Sequence, residues 1–118
     1  MRIAILFCMA LVPVWAVADE DAHTVTAGQL IYSQTCIACH GANGKGTIPG
    51  VADLTDPEGA LSKRDEELLK SISEGFQSPG SMLAMPPKGG NPTLTEEDEK
   101  AVLGYLRTRF GRSGSPSR

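Results

Sequence analysis

The sequence predicts an all-α fold, and three observations support this prediction. Three segments carry apolar residues at helical spacing, each beside a residue suited to cap a helix. No stretch alternates apolar and polar residues as a half-exposed strand does. The chain has 118 residues, which fits one domain and is too short for two comfortable cores. We therefore expect a single helical domain.

The N-terminal residues are typical of an export signal. A basic residue precedes an almost wholly apolar run over residues 3–17, and a small-x-small cleavage site ends at Ala18. An uncleaved membrane anchor is the alternative. However, the run is shorter than the roughly 20 residues that span a bilayer, and Pro13 interrupts it. We predict a signal peptide over residues 1–18, cleavage after Ala18, and a periplasmic protein with no stable membrane insertion.

Net charge argues against nucleic acid as a partner. The charge is −3 for the whole chain and −4 once residues 1–18, with their single arginine, are removed. Proteins that bind nucleic acid are usually strongly basic. The mature domain is also small, and small domains bury a limited fraction of their surface. A large apolar cofactor would therefore help to complete its core.

Three helices are predicted from capping residues and apolar stripes. Their N-caps are threonine or serine: Thr26, Ser62 and Thr95. The helices are expected to end near Cys36, Gly75 and Gly111. In the last helix, acidic residues fill the first turn and arginines stand near the end. This arrangement complements the helix dipole, so the charge pattern has a sufficient structural explanation.

These segments also set the predicted domain boundaries. Residues 19–25 are polar and are expected to be flexible, residues 26–111 form the folded domain, and residues 112–118 form a disordered tail. The loop over residues 41–50 is rich in glycine and is expected to turn tightly around a bulky group. The loop over residues 77–92 is rich in proline and contains both methionines of the mature chain, Met82 and Met85.

The motif Cys36-Ile37-Ala38-Cys39-His40 is the pattern that attaches c-type haem. Cys36 and Cys39 would each form a thioether with one vinyl group of the porphyrin, and His40 would bind the iron. A disulfide or a zinc site is the alternative. The chain lacks the βαβ setting of a thioredoxin-like pair. Structural zinc needs about four ligands, and the only other histidine is His23. We predict one covalently bound haem c that cycles between Fe(II) and Fe(III).

A methionine is the expected second axial ligand. A thioether favours reduced iron, and histidine/methionine ligation raises the reduction potential. Met85 precedes Pro86-Pro87, whose fixed dihedrals would hold the loop in one shape, so Met85 is preferred and Met82 is the fallback. The alternative is that either methionine simply fills an apolar gap. With both axial positions filled, substrate has no access to iron, which predicts an electron-transfer protein and not an enzyme.

The order of these motifs resembles that of class I cytochromes c over about residues 25–110. The matching segments are Gly28-x-x-x-Tyr32, Cys36-x-x-Cys39-His40-Gly41, Ile48-Pro49-Gly50, Met85-Pro86-Pro87-Lys88-Gly89-Gly90 and the helix with Tyr105. The chain is most similar to the short bacterial c-five type subgroup, although it lacks the extra cysteine pair of some members.

This resemblance implies three to five helices around one haem, with the first and last helices crossing. Gly28 and Tyr32 would then meet the last helix near Val102 and Tyr105. It also implies that the Pro49 carbonyl contacts the ring nitrogen of His40 that does not bind iron.

The sequence therefore predicts a monomeric periplasmic carrier that passes single electrons between redox protein partners. Transfer would be outer-sphere, through an exposed haem edge, and the partners would dock transiently. One alternative is a haem-bearing subunit of a larger oxidoreductase complex. Another, a ligand-binding or peroxidatic haem protein, requires an open sixth position. Lys45 and Lys88 lie in the loops expected to border the haem edge. They could help to dock an acidic partner, but we interpret both as ordinary solvated lysines.

Overall fold

The structure is a computed structural model, and it describes residues 20–111. Within that range the α-helices are α1 (Glu20–Ile31), α2 (Ile37–His40), α3 (Asp65–Glu74) and α4 (Glu96–Phe110). A π-helical turn, Tyr32–Cys36, joins α1 to α2, so the chain stays helical up to His40. Short 3-10 turns lie at Ala60–Ser62 and Pro87–Gly90. These described residues form no strand beyond one isolated bridge, which confirms the all-α prediction.

The predicted signal peptide (1–18) and the predicted tail (112–118) lie outside the described residues. From residue 20 to 111, no helix combines the length and the apolar character needed to cross a membrane.

Helices α1 and α4 cross at Gly28. A Cβ atom at Gly28 would overlap the Ala101 carbonyl and would lie 2.7 Å from the Cβ of Tyr105. One turn further along, the Tyr32 ring lies 5.5 Å from the ring of Tyr105 and 5.5 Å from that of Phe110, centre to centre. The crossing of the first and last helices is thus confirmed, and it depends on a glycine that lets two backbones approach closely.

A single apolar core joins these helices. Its buried members come from the π-helical turn after α1, residues 41–64, α3 and α4: Tyr32, Leu54, Leu61, Leu68, Ile72, Val102, Leu103, Leu106 and Phe110. Aromatic pairs with centroids 4.5–7 Å apart add to the stability that burial provides. The core therefore positions α2 by way of Tyr32, only a few residues before the motif.

The predicted start of the first helix is wrong. Helix α1 already includes Glu20, the first residue that the structure describes, so Thr26 lies inside it, and residues 20–25 of the segment expected to be flexible are helical. Residues 20–25 contain neither proline nor glycine. Each residue added to an existing helix gains a hydrogen bond, so the helix extends until something stops it.

The predicted cap of the second helix is also wrong. Ser62 ends the 3-10 turn, where its hydroxyl donates to the Gly59 carbonyl at 2.7 Å. Helix α3 begins at Asp65, and the Arg64 backbone N–H donates to the Glu67 carboxylate at 3.2 Å. A serine hydroxyl can donate back to a nearby carbonyl or cap a helix, and local sequence alone does not decide between them. The expected end at Gly75 is confirmed.

The predicted cap of the last helix is confirmed. The Thr95 hydroxyl accepts from the Asp98 N–H at 3.2 Å, and the Asp98 carboxylate accepts from the Thr95 N–H at 2.9 Å. Arg107, expected only to complement the dipole, does more. Its guanidinium donates to the Asp65 carboxylate at 2.7 Å and to the Lys63 carbonyl at 2.6 Å, which ties α4 to the start of α3.

Candidate haem-binding site

The five-residue motif spans the junction of the π-helical turn and α2. Cys36 ends the π-helical turn and His40 ends α2. Cys36, Cys39 and His40 all line one cavity of about 210 Å³. Cys36 is half-buried, Cys39 is exposed, and both are free thiols. The structure therefore brings the three residues together on one wall, as helical spacing requires.

The glycine-rich loop folds back onto the end of α2. The His40 carbonyl accepts from the Gly46 N–H at 2.8 Å, and the Cys39 carbonyl accepts from the Thr47 N–H at 2.8 Å. The Thr47 hydroxyl also donates to the Ala38 carbonyl at 2.8 Å. The last carbonyls of a helix have no partner within it. The loop supplies those partners, and so holds the motif rigidly.

Tyr32 fixes the motif from its other end. Its hydroxyl donates to the Gly41 carbonyl at 2.5 Å, across the whole length of the motif. Gly41 has φ of +79°, a left-handed value suited to glycine, and ends the helix there. Burial is the largest influence that raises the pKa of Tyr32 to about 12. The phenol is therefore neutral and able to donate at physiological pH.

The cavity beside the motif is apolar, and it is lined by residues of the π-helical turn, α2, α3, α4 and the loops that connect them. Apolar side chains of α3 and α4 line it: Leu68, Ile72, Val102, Leu103 and Leu106. Met85, in the loop between α3 and α4, also lines it. Two thiols, one imidazole and one thioether thus share one apolar cavity. This is the donor set that a covalently attached haem with histidine/methionine ligation requires, so the residues present fit this cofactor.

The two methionines differ in placement. Met85 is half-buried and packs against the core, whereas the side chain of Met82 is fully exposed, at 102% of its reference area. Met82 does not line the cavity. The structure therefore places only Met85 beside the cysteines and the histidine.

His40 is held in the state that a metal ligand needs. Its Nδ1 lies 3.3 Å from the Ala52 carbonyl oxygen. A carbonyl only accepts, so Nδ1 carries the proton and Nε2 keeps its lone pair. Burial is the main influence on the ring and lowers the pKa of His40, with the bond to Ala52 opposing it. The imidazole is therefore neutral at physiological pH.

The partner of His40 differs from the one that the family resemblance implied. The acceptor is the carbonyl of Ala52, three residues beyond Pro49. Residues 48–51 form a turn in which the Val51 N–H donates to the Ile48 carbonyl at 3.3 Å, and the chain returns to the ring only after this turn. Pro49 is exposed and does not line the cavity. The path of the backbone after the turn decides which carbonyl reaches the ring of His40, and the sequence motif does not specify that path.

Burial also affects Cys36. It is the largest influence that raises the pKa of this thiol to about 11, and the neighbouring Cys39 adds to the shift. At neutral pH the sulfur is therefore protonated. No thiolate charge has to be accommodated in the apolar cavity.

The backbone of Met85 is held by a contact that the sequence did not reveal. Its N–H donates to the Phe76 carbonyl at 2.7 Å, and the Phe76 N–H donates to the Met85 carbonyl at 3.0 Å. Gly75, with φ of +83°, makes the approach possible, because a Cβ there would lie 2.6 Å from the Met85 carbonyl oxygen. The sequence predicts Gly75 only as the end of a helix, and its close contact with the Met85 backbone is visible only in the tertiary structure.

The two loop lysines lie in different environments. Lys45 is exposed, as expected for a solvated lysine. Lys88 is not. Its ammonium donates to the Leu94 carbonyl at 2.7 Å and lies 3.8 Å from a carboxylate oxygen of Glu99, so the interpretation of Lys88 as an ordinary solvated residue is wrong.

Replacing Tyr32 by phenylalanine should cost about 1 kcal/mol of unfolding free energy at pH 7, because the Gly41 carbonyl loses a buried donor. The unfolding free energy of the variant should also depend less on pH in the alkaline range. The folded pKa of Tyr32, about 12, exceeds its ordinary value of 10.0, so its stabilising contribution is complete below pH 10 and disappears between pH 10 and 12. Denaturant unfolding of the holoprotein at pH 7, 10 and 12 measures both effects.

Tyr105→Phe is the matched control, because it removes a phenol from the same aromatic cluster. It should keep the alkaline loss of stability. An unchanged pH profile in Tyr32→Phe would show that Tyr32 does not cause that loss.

Comparison with known proteins places these features in a family. The family described as "Cytochrome C oxidase, cbb3-type, subunit III" matches residues 23–106. A Cbb3-type cytochrome c oxidase subunit CcoP of Rhodobacter capsulatus is 30% identical over 95 residues, which is 80% of this chain. The chain spans only about a third of the CcoP relatives that it matches, 31% of their length.

Two shorter relatives are matched over almost their whole length. Cytochrome c-554(547) of Halothiobacillus neapolitanus is 33% identical over 89 residues, which cover 70% of this chain and 92% of the relative. Cytochrome c-555 of Prosthecochloris aestuarii is 26% identical over 91 residues, which cover 75% of this chain and 91% of the relative. The segment that matches the family model, residues 23–106, includes the motif, the residues that line the cavity and most of α4.

Proposed function

Because the chain belongs to the cytochrome c family of cbb3-type oxidase subunit III, we propose that it is a periplasmic one-electron carrier. Its cofactor is haem c, which supplies an Fe(III)/Fe(II) couple when bound. The observation that carries the proposal is that His40 and Met85 line one apolar cavity together with Cys36 and Cys39.

Each of these residues has a distinct role in the proposal. Cys36 and Cys39 would attach the porphyrin through thioethers, His40 would bind iron through Nε2, and Met85 would bind it through its thioether. With both protein ligands in place, no position would remain for a substrate. The apolar walls exclude water and so favour the less charged, reduced state of the centre. The reaction that remains is outer-sphere electron exchange with a partner protein.

Carbon monoxide tests whether both axial positions are closed. The reduced native holoprotein should not bind carbon monoxide on the mixing timescale, while the same protein unfolded in denaturant should bind it rapidly. A reductive titration should be reversible and involve one electron. Rapid binding to the native protein would contradict the carrier proposal and would favour a ligand-binding or peroxidatic haem protein.

A second candidate is a haem-bearing subunit of a larger oxidoreductase complex. Two relatives named as CcoP, a subunit of an oxidase, favour it. A monomeric carrier should elute from a sizing column at the mass of one domain. In a pull-down from its own periplasm, its transient redox partners should be washed away. Stable copurification with a catalytic subunit would favour the subunit instead.

The periplasmic location depends on the predicted signal peptide over residues 1–18. If it is cleaved after Ala18, N-terminal sequencing of the mature protein should begin at Asp19.

A further inference from the structure

Glu99 is a buried carboxylate in a helical turn whose other acidic residues are accessible. It is 4% exposed, whereas Glu96 and Glu97 of the same turn are exposed. Its carboxylate accepts from the Ser73 hydroxyl of α3 at 3.3 Å. The same oxygen lies 3.8 Å from the ammonium of Lys88. Buried charges are normally paired, so the position of Glu99 is coupled to that of Lys88.

Lys88 has a strained backbone. It is the one non-glycine residue with a positive φ among residues 20–111, at +56°. A side chain in this region meets steric resistance and persists only where its surroundings hold it. Here the ammonium is held at two points, by the Glu99 carboxylate and by the Leu94 carbonyl. Such strain often lies at functional sites, and Lys88 is three residues from Met85.

The backbone between Met85 and Lys88 has little conformational freedom. Pro86 and Pro87 have fixed φ angles, and the Gly89 N–H donates to the Pro86 carbonyl at 3.1 Å. On its other side, Met85 is bonded to Phe76 through both backbone groups. A displacement at Lys88 is therefore transmitted to Met85 rather than absorbed between them.

We propose that Glu99 is a positioning residue for Met85, acting through Lys88 to keep the methionine side chain in the cavity. The proposal rests on the proposed role of Met85 as an axial ligand. A purely structural role for Glu99 makes a different prediction, because the ligand bond and the helices would then be lost together. A positioning role predicts that the ligand bond is lost first.

The test is Glu99→Gln, which keeps the shape and the acceptor for Ser73 but removes the charge that pairs with Lys88. The oxidised holoprotein is titrated with guanidinium, and two signals are followed in one sample: the near-infrared band of methionine-ligated iron, and far-ultraviolet circular dichroism. In the wild type both signals should change at one midpoint. In Glu99→Gln the band should disappear well below the helix midpoint, and the reduced protein should bind carbon monoxide at least tenfold faster.

Glu97→Gln is the matched control, because it removes a charge from the exposed face of the same turn. It should behave as the wild type. Coincident midpoints and wild-type carbon monoxide binding in Glu99→Gln would overturn the inference. A wild-type protein without the near-infrared band would instead overturn the role of Met85, so the two failures are distinguishable.

If Glu99→Gln does not fold, Lys88→Gln provides the second variant. Glutamine removes the ammonium but keeps a side chain at the backbone angle of +56°, so the strain remains without the ion pair that holds it. The proposal predicts early loss of the near-infrared band in this variant too. Retention of the band up to the helix midpoint would overturn it.

Discussion

Met85→Ala should abolish the weak near-infrared absorption of the oxidised holoprotein and open the iron to carbon monoxide. Met85 is the one methionine that lines the cavity among the described residues, so no other thioether there can take its place. The reduction potential should also fall by more than about 0.1 V, within the roughly 0.8 V that axial ligands span. Absorption spectroscopy, a potentiometric titration and carbon monoxide mixing measure the three effects.

Met82→Ala is the matched control in the same loop. Its side chain is fully exposed, so all three properties should remain as in the wild type. Circular dichroism should show that both variants keep their helices, since Met85 is only half-buried. If the band survives in Met85→Ala and disappears in Met82→Ala, the assignment moves to Met82, and the loop rearranges when the cofactor binds.

Gly28→Ala should destabilise the protein by about 3 kcal/mol, or roughly 15 °C in melting temperature. The added Cβ would overlap the Ala101 carbonyl and would lie 2.7 Å from the Tyr105 Cβ. Neither atom is the end of a flexible side chain, so the crossing helices must separate. That separation would also loosen the contact of Tyr32 with α4, which holds the motif. Denaturant unfolding of the holoprotein measures the effect.

Gly104→Ala is the matched control, because it makes the same change inside α4 with no atom within 4 Å of the new Cβ. Alanine is the better helix former, so this variant should gain about 0.5–1 kcal/mol. The two substitutions should therefore act in opposite directions. Equal effects would mean that the helix crossing tolerates a methyl group and that Gly28 serves another purpose.

The accuracy of prediction followed the range of the interaction. The Thr95 cap was predicted because donor and acceptor lie within one turn of each other. The end of α3 at Gly75 was predicted because a glycine can adopt the positive φ, here +83°, that ends a helix. The N-caps predicted at Thr26 and Ser62 were wrong, because helix α1 continues through Thr26 and the Ser62 hydroxyl donates back to the Gly59 carbonyl. The family resemblance predicted the approach of Gly28 to the last helix, which the local pattern could not locate.

By itself, the sequence determined the chemistry of the site: two thiols and an imidazole within five residues of one helix are brought together by helical spacing alone. The tertiary structure decided how those groups are held. The Ala52 carbonyl at His40, the Phe76 bridge at Met85 and the Lys88–Glu99 pair join segments that are distant or separated by turns. Such contacts depend on where α3 and α4 place their neighbours once the core has formed, and no local pattern of residues contains that information.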